Sequence, residues 1–232
     1  LDKALTPLPE GVTPAGKRME VSTVTAELSQ YGDYITQSDV LELTALDNTI
    51  LEATKNLELV AAVGLPVRCG WDYKLYNCAA IIQSGKILGL VPKTNLPAFG
   101  EGQDGRWYVS GKDVDLTVTL CGQQVRMSDK LLFPCSTMDN LVLGVEVGHD
   151  LWAPVPSSTQ LALSGATIIL NPAATNEIVG RAQYRAQLVC SQSARVVCGY
   201  VYADAGEGES TTDLVFSGHH MIAENGTLLT QQ

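Results

Sequence analysis

The residues best suited to chemistry sit in one short stretch, Leu141 to Trp152 (LVLGVEVGHDLW). Leu141 to Val145 reads as a buried strand, after which the sequence breaks into Gly148-His149-Asp150 before the apolar anchor Leu151-Trp152. In α/β enzymes the sharp turn after such a strand presents a nucleophile or a ligand group. This turn offers a glycine, a histidine and an aspartate, with neither Cys nor Ser. His149 has the chemistry of a base acting on water, and a structural or surface imidazole is the plainer alternative. The other nucleophile candidates lie elsewhere. Cys190 falls in a helical pattern and Cys198 in a strand pattern, so both read as core thiols. His219 reads as a hydrogen-bonded core group and His220 as its incidental neighbour.

Several elements must position this turn. Ser38 to Lys55 carries Val40, Leu41, Leu43, Leu46, Ile50 and Leu51 at helical spacing, with Ser38 or Asp39 as the cap. Strand patterns follow at Leu57–Val67, Leu75–Ile82 and Lys86–Val91, the last two joined by Ser84-Gly85 as a hairpin. Val114–Leu120 alternates like a half-exposed strand and ends at Gly122-Gln123. Beyond the central stretch, Ser157–Ser164 suggests a helix capped by its serines. Thr167–Leu170 reads as a buried strand ending in Asn171-Pro172. Arg181–Arg195 is a helix with Tyr184, Leu188 and Val189 on one side and Arg and Gln on the other. Val196–Tyr202 and Leu214–Ile222 read as strands, and Val21–Leu28 as a weak strand leading to Glu27. Residues 1–18 read as a loop or tail and 19–232 as a single domain: a mixed α/β sandwich.

Composition narrows the function. A chain of 232 residues can bury a substantial core. Its net charge of −10 argues against nucleic acid and anionic membranes, which both need clustered Lys and Arg. No apolar run reaches the roughly 18 to 20 residues that span a bilayer. No signal-peptide h-region is visible. The six cysteines (Cys69, Cys78, Cys121, Cys135, Cys190, Cys198) are dispersed, with no CxxC pair or Cys/His ligand spacing. Neither a metal site nor a disulfide framework is expected, and free thiols suit the cytoplasm.

Five stretches together resemble the nitrilase (carbon–nitrogen hydrolase) superfamily, and more narrowly the glutaminase domain of glutamine-dependent NAD synthetases. They are Leu75–Glu101, Gly105–Asp113, Leu143–Ser158, Gly165–Arg195 and Tyr200–Leu229. The resemblance implies a four-layer αββα sandwich, here lacking the first strand and helix and the last strand. It also implies a Cys nucleophile, a Glu base and a Lys that stabilises the oxyanion. Lys93, in VPKTNLP, occupies the family lysine's place. Glu27, in TAELSQYGD, falls near the general base, although Ala26 stands where the family has proline. An ordinary exposed glutamate is the alternative there. Glu101 matches the first acid of a GEFYE-like segment, whereas Asp104 stands where its second glutamate belongs, one methylene shorter. Where relatives read GVEICEDLW, this chain has Gly148 for the cysteine and His149 for the following glutamate. Glycine can form no covalent intermediate.

The expectation is therefore a glutaminase-like domain without its nucleophile, needing no cofactor and acting by binding, assembly or regulation. Glutamine or another small amide is the expected ligand, and the superfamily's habit of pairing sandwiches across their helical faces implies a homo-oligomer. A fragment or inactivated form of the glutamine amidohydrolase domain is the alternative. A weaker third reading is an enzyme of altered chemistry built on His149, Asp150 and Lys93.

Overall fold

The computed structural model describes residues 50–69, 74–98, 102–209 and 214–232. The proposed tail at 1–18, the strand candidate ending near Glu27, and Glu101 lie outside the described residues.

Apolar runs and tight turns build the first sheet. Strands β1 (Val60–Cys69), β2 (Lys74–Gln83), β3 (Lys86–Pro92), β4 (Asp115–Leu120) and β5 (Gln123–Ser128) are arranged in the order β1-β2-β3-β5-β4. The Ser84-Gly85 turn has φ of 48° and 75°, the two successive left-handed residues that a two-residue hairpin requires. Cys121-Gly122 repeats this geometry between β4 and β5.

Strand β2 is buried along nearly its whole length, and its alternation divides the core in two. Tyr76, Cys78, Ala80 and Ile82 pack outward, under Ile50 and Leu51 of the helical turn at residues 50–54. Ala79 and Ile81 point inward, onto Val145 and Val147.

The second sheet supplies that opposing surface. It comprises β6 (Leu132–Pro134), β7 (Val142–Val145), β8 (Ile168–Pro172), β9 (Gly199–Ala203), β10 (Met221–Glu224) and β11 (Thr227–Gln231), in the order β11-β10-β9-β8-β7-β6. β7, β8 and β9 run parallel, joined by crossover helices. After a four-residue helix α1 (Asp104–Trp107), these are α2 (Ser157–Leu163) and α3 (Arg181–Val196). They cover Ile169, Tyr200, Tyr202, Met221 and Ala223 on the outer face. Helix, sheet, sheet and helix make four layers, as expected.

Four expectations need correction. The strand expected to be missing after the Glu224–Gly226 turn is present as β11, because Asn225 (φ 47°) and Gly226 (φ 83°) form another two-residue hairpin turn. The strand expected at Leu214–Ile222 lies instead at Met221–Glu224 (β10), sharing only its last two residues with the expectation. Helix α2 has no side-chain cap; Pro156 holds the N-cap position, and Glu146 takes the Ser158 N–H instead. On α3, Arg185 and Gln192 are buried, while Tyr184 is half exposed. Polar partners reverse the polar-out pattern there: the half-buried Glu177 and buried Asp204 for Arg185, and buried Ser158 for Gln192.

Candidate functional site

The site forms where the C-terminal ends of β3 and β7 approach each other across the sandwich. Lys93 follows β3. Its backbone N–H donates to Asn77 O at 2.7 Å and its carbonyl accepts from Gly111 N at 2.9 Å. Position 111 must be glycine, since a Cβ would lie 2.4 Å from Pro92 Cβ. With its backbone fixed on both sides, the nearly buried Lys93 ammonium pairs directly with Asp104 of α1. A buried cation needs such a partner, and Asp104 supplies it from the rim of the site.

Gly148 follows β7 and opens a turn of 3₁₀ helix, Gly148–Trp152. Its φ of 51° is a left-handed conformation in which glycine carries no Cβ penalty. A Cβ built there meets no clash, only ordinary van der Waals contacts: Ala173 Cα at 3.8 Å, Pro172 O at 3.9 Å and Lys93 Nζ at 3.9 Å. Any side chain at 148 would therefore stand beside the Lys93–Asp104 pair. The glycine leaves that place empty of a nucleophile.

Asp150 joins the two halves. Its buried carboxylate accepts from the backbone N–H groups of Thr94 (3.1 Å) and Asn95 (2.6 Å), and from Thr94 Oγ1 (3.0 Å) and Asn95 Nδ2 (3.1 Å). Burial pushes its pKa up and these bonds oppose the rise. Asp150 is thus fully committed to holding the Lys93 segment against the Gly148 turn.

Asn171, at the end of β8, secures the turn from below. Gly148 N–H donates to its Oδ1 at 2.7 Å, and its Nδ2 donates to Tyr200 Oη at 2.8 Å. Tyr200 donates in turn to Glu146, whose other oxygen accepts the Ser158 N–H at 2.7 Å. Full burial raises the Glu146 carboxyl to about 7 against these hydrogen bonds.

Around the rim, the His149 ring lies 5.7 Å from Trp152, and the Arg181 guanidinium 5.9 Å from the same indole. This packing favours the structural reading of His149. Cys198 is a core thiol donating to Ala166 O, and Cys190 sits within α3. His220 is no incidental neighbour: its Nδ1 accepts the Asp204 N–H at 3.1 Å, which leaves any proton of the neutral ring on Nε2. Its burial lowers its affinity for a second proton, with His219 adding to the effect. Among the described residues no group of three His, Cys, Asp or Glu is placed to hold a metal ion.

Of the six positions singled out in the sequence, the structure brings Lys93, Asp104 and Gly148 together, with His149 on the adjacent rim. Sequence reasoning missed Asn171, Tyr200 and the structural use of Asp150. It also passed over Glu146, a charged residue inside the apolar run VLGVEVG, which is itself a signal of a buried polar site.

No protein-family model matches the chain. It is 39% identical over 202 residues to the glutamine-dependent NAD(+) synthetase of Mycobacterium tuberculosis, covering 86% of this chain and 29% of that protein. The chain thus spans less than a third of the length of that curated relative. The structure of a glutamine-dependent NAD(+) synthetase from Cytophaga hutchinsonii superimposes with a TM-score of 0.72 at 22% identity, over 87% of this chain and 32% of that one. Saccharomyces cerevisiae Nit3, a member of the nitrilase superfamily, gives a TM-score of 0.61 at 14% identity, over 81% and 60% respectively.

Proposed function

With the nitrilase-superfamily fold and with glutamine-dependent NAD(+) synthetases as its homologues, this chain, we propose, is a glutaminase-like domain that does not cleave amides. It acts by binding, assembly or regulation. The observation carrying this reading is Gly148. The position after β7, where a side chain would stand beside the Lys93 ammonium, has no side chain. Amide hydrolysis by this fold's implied route needs a thiolate there, to attack the carbonyl carbon while a cation receives the charge on oxygen. Lys93 and Asp104 can still receive a carbonyl or carboxylate group, so glutamine or a related small amide is the ligand class that fits. The Lys93–Asp104 pair also makes one acidic oxygen available to an amide N–H.

Exposed Leu163, Ile178, Val179 and Tyr184 on the helical side support self-association through that layer. No helix among the described residues is long and apolar enough to cross a membrane. The six free thiols favour the cytoplasm.

The test is ammonia release from glutamine by the chain as it stands and by Gly148→Cys, together with glutamine binding by calorimetry. Binding without ammonia release is the expected result, and turnover by the unaltered chain refutes the reading. A second reading, an inactivated form or fragment of a glutamine amidohydrolase, is favoured by the intact Lys93, Asp150 and Asn171 contacts. Vigorous ammonia release by Gly148→Cys would select it.

A further inference from the structure

The buried polar chain beneath the turn has a direction. Gly148 N–H donates to Asn171 Oδ1, Asn171 Nδ2 donates to Tyr200 Oη, and the Tyr200 hydroxyl donates to Glu146. Asn171 Nδ2 also reaches the Gly148 carbonyl at 3.3 Å, so one side chain grips both faces of the turn residue. Apart from that second Asn171 contact the donors run toward the carboxylate, and Asn171, Tyr200 and Glu146 are all at most 1% exposed. Water cannot replace a lost partner there without entering the core.

We propose that Glu146 is a positioning residue: its ionised carboxylate sets the donor direction of the Tyr200–Asn171 chain and so the orientation of the 148 peptide, and proton uptake by Glu146 releases that chain. The step is a simple protonation. A solvent proton adds to the Glu146 oxygen that accepts from Tyr200, the resulting O–H donates to Tyr200 Oη, and the tyrosine hydroxyl turns away. Tyr200 oxygen then has one acceptor site already filled, and its bond from Asn171 Nδ2 weakens. The Asn171 amide is freed to rotate, and with it the grip on Gly148.

The surroundings determine whether Glu146 can change charge. From α2 the Ser158 N–H stabilises the anion, with Gln192 of α3 bonded behind it to Ser158 Oγ at 3.0 Å. From the 3₁₀ turn Asp150 opposes the anion with its own negative charge. From β9 come Tyr200 and, beyond it, Tyr202. Lys93, beside residue 148, is paired with Asp104, and Arg181 lies over the Trp152 ring at the far end of the turn. Burial without a cationic partner places the carboxyl at about 7, within the range of ordinary cellular pH. The inference goes beyond the proposed function, because it holds whether or not the site turns anything over.

The test follows the Gly148 amide directly. The full chain is labelled with ¹⁵N-glycine, and the Gly148 resonance is assigned by its loss in Gly148→Ala. It is then followed from about pH 5.5 to about 8.5, a range bracketing the Glu146 value. The expected result is a titration of the Gly148 amide with a midpoint near 7 that becomes flat in Glu146→Gln and in Tyr200→Phe. Gly122, in the β4–β5 turn of the other sheet, serves as the unaffected reference. His149 carries the next peptide and is itself titratable, so the series is repeated in His149→Gln, where the titration must persist. A flat Gly148 resonance in the unaltered chain overturns the proposal, as does loss of the titration in His149→Gln or its survival in Glu146→Gln. If Glu146→Gln does not fold, Tyr200→Phe decides: a titration there like that of the unaltered chain overturns it.

Discussion

Replacing Gly148 by cysteine is the most informative single perturbation, because the structure sets both its cost and its gain. The cost is backbone strain. A residue with a Cβ at φ 51° loses about 1 kcal/mol relative to glycine. Space adds little, since no atom lies closer than 3.8 Å to the new Cβ. For a chain of this size that is a fall in Tm of about 2–4 °C.

The gain is a thiol beside a buried ammonium. With Cβ 3.9 Å from Lys93 Nζ, the sulfur stands at about ion-pair distance. At about 4 Å and an effective dielectric near 20, the attraction is about 4 kcal/mol. Desolvation of the thiolate and competition from Asp104 remove more than half of it. The net expectation is a thiol pKa about one unit below its usual value near 8.5. The assay is the pH dependence of iodoacetamide alkylation at residue 148, read by peptide mass spectrometry so that the six native cysteines do not interfere. Gly148→Ala should share the Tm loss, and Lys93→Met on the cysteine background should abolish the enhanced reactivity. A thiol pKa at or above 8.5, or a Tm loss beyond about 10 °C, would refute the placement of Lys93 beside this position.

Other consequences are equally direct. Glu146 has a folded value raised from 4.5 to about 7, so its stabilising contribution is complete below 4.5 and lost as pH rises through 7. The shift corresponds to about 3 kcal/mol, so urea denaturation of the unaltered chain and of Glu146→Gln should diverge by roughly that amount between pH 5 and 8. Parallel pH curves would show that the carboxyl is not perturbed. Asp150→Ala removes the acceptor for four donors of Thr94 and Asn95 and should cost at least about 3 kcal/mol in denaturant midpoint measurements; a loss under 1 kcal/mol would contradict the joining role. Arg185 is wholly buried, 3.1 Å from Glu177 Oε2 and close to Asp204, though not aligned for a hydrogen bond with the latter. Arg185→Met should cost about 3–5 kcal/mol by leaving those carboxylates uncompensated, whereas Arg126→Met, at an exposed pair with Asp115, should leave the denaturation midpoint nearly unchanged.

Much of the sandwich was legible because its strands are apolar runs between turn residues. The β2–β3 hairpin followed from Ser84-Gly85 and the Gly148 turn from the end of its strand, whereas Lys93 was marked by the family resemblance. What the sequence did not disclose is what depends on distant partners. Asp150 looked like one of two polar residues beside a glycine in a turn, and its meaning lies in Thr94 and Asn95, 56 and 55 positions away. Arg185 and Gln192 followed the polar stripe of an amphipathic helix, yet both are buried, because loops after β8 and β9 and the start of α2 bring them partners. The strand after Asn225-Gly226 was overlooked although that dipeptide is a strong hairpin signal. Its five residues, mostly exposed, carry little of the apolar patterning that marks the other strands.

The Asp150 contacts have one further consequence, which concerns folding. Lys93 belongs to the first sheet and residue 148 to the second, and the bonds that bring them together close a loop of more than fifty residues. The entropy of that closure must be met before the two can meet, and only the packing of sheet against sheet supplies it. Neither sheet alone, nor a chain with one sheet formed, can contain the site. Proximity between Lys93 and residue 148, measured by cross-linking or by the thiol chemistry above, therefore reports completion of the sandwich as well as the state of the site.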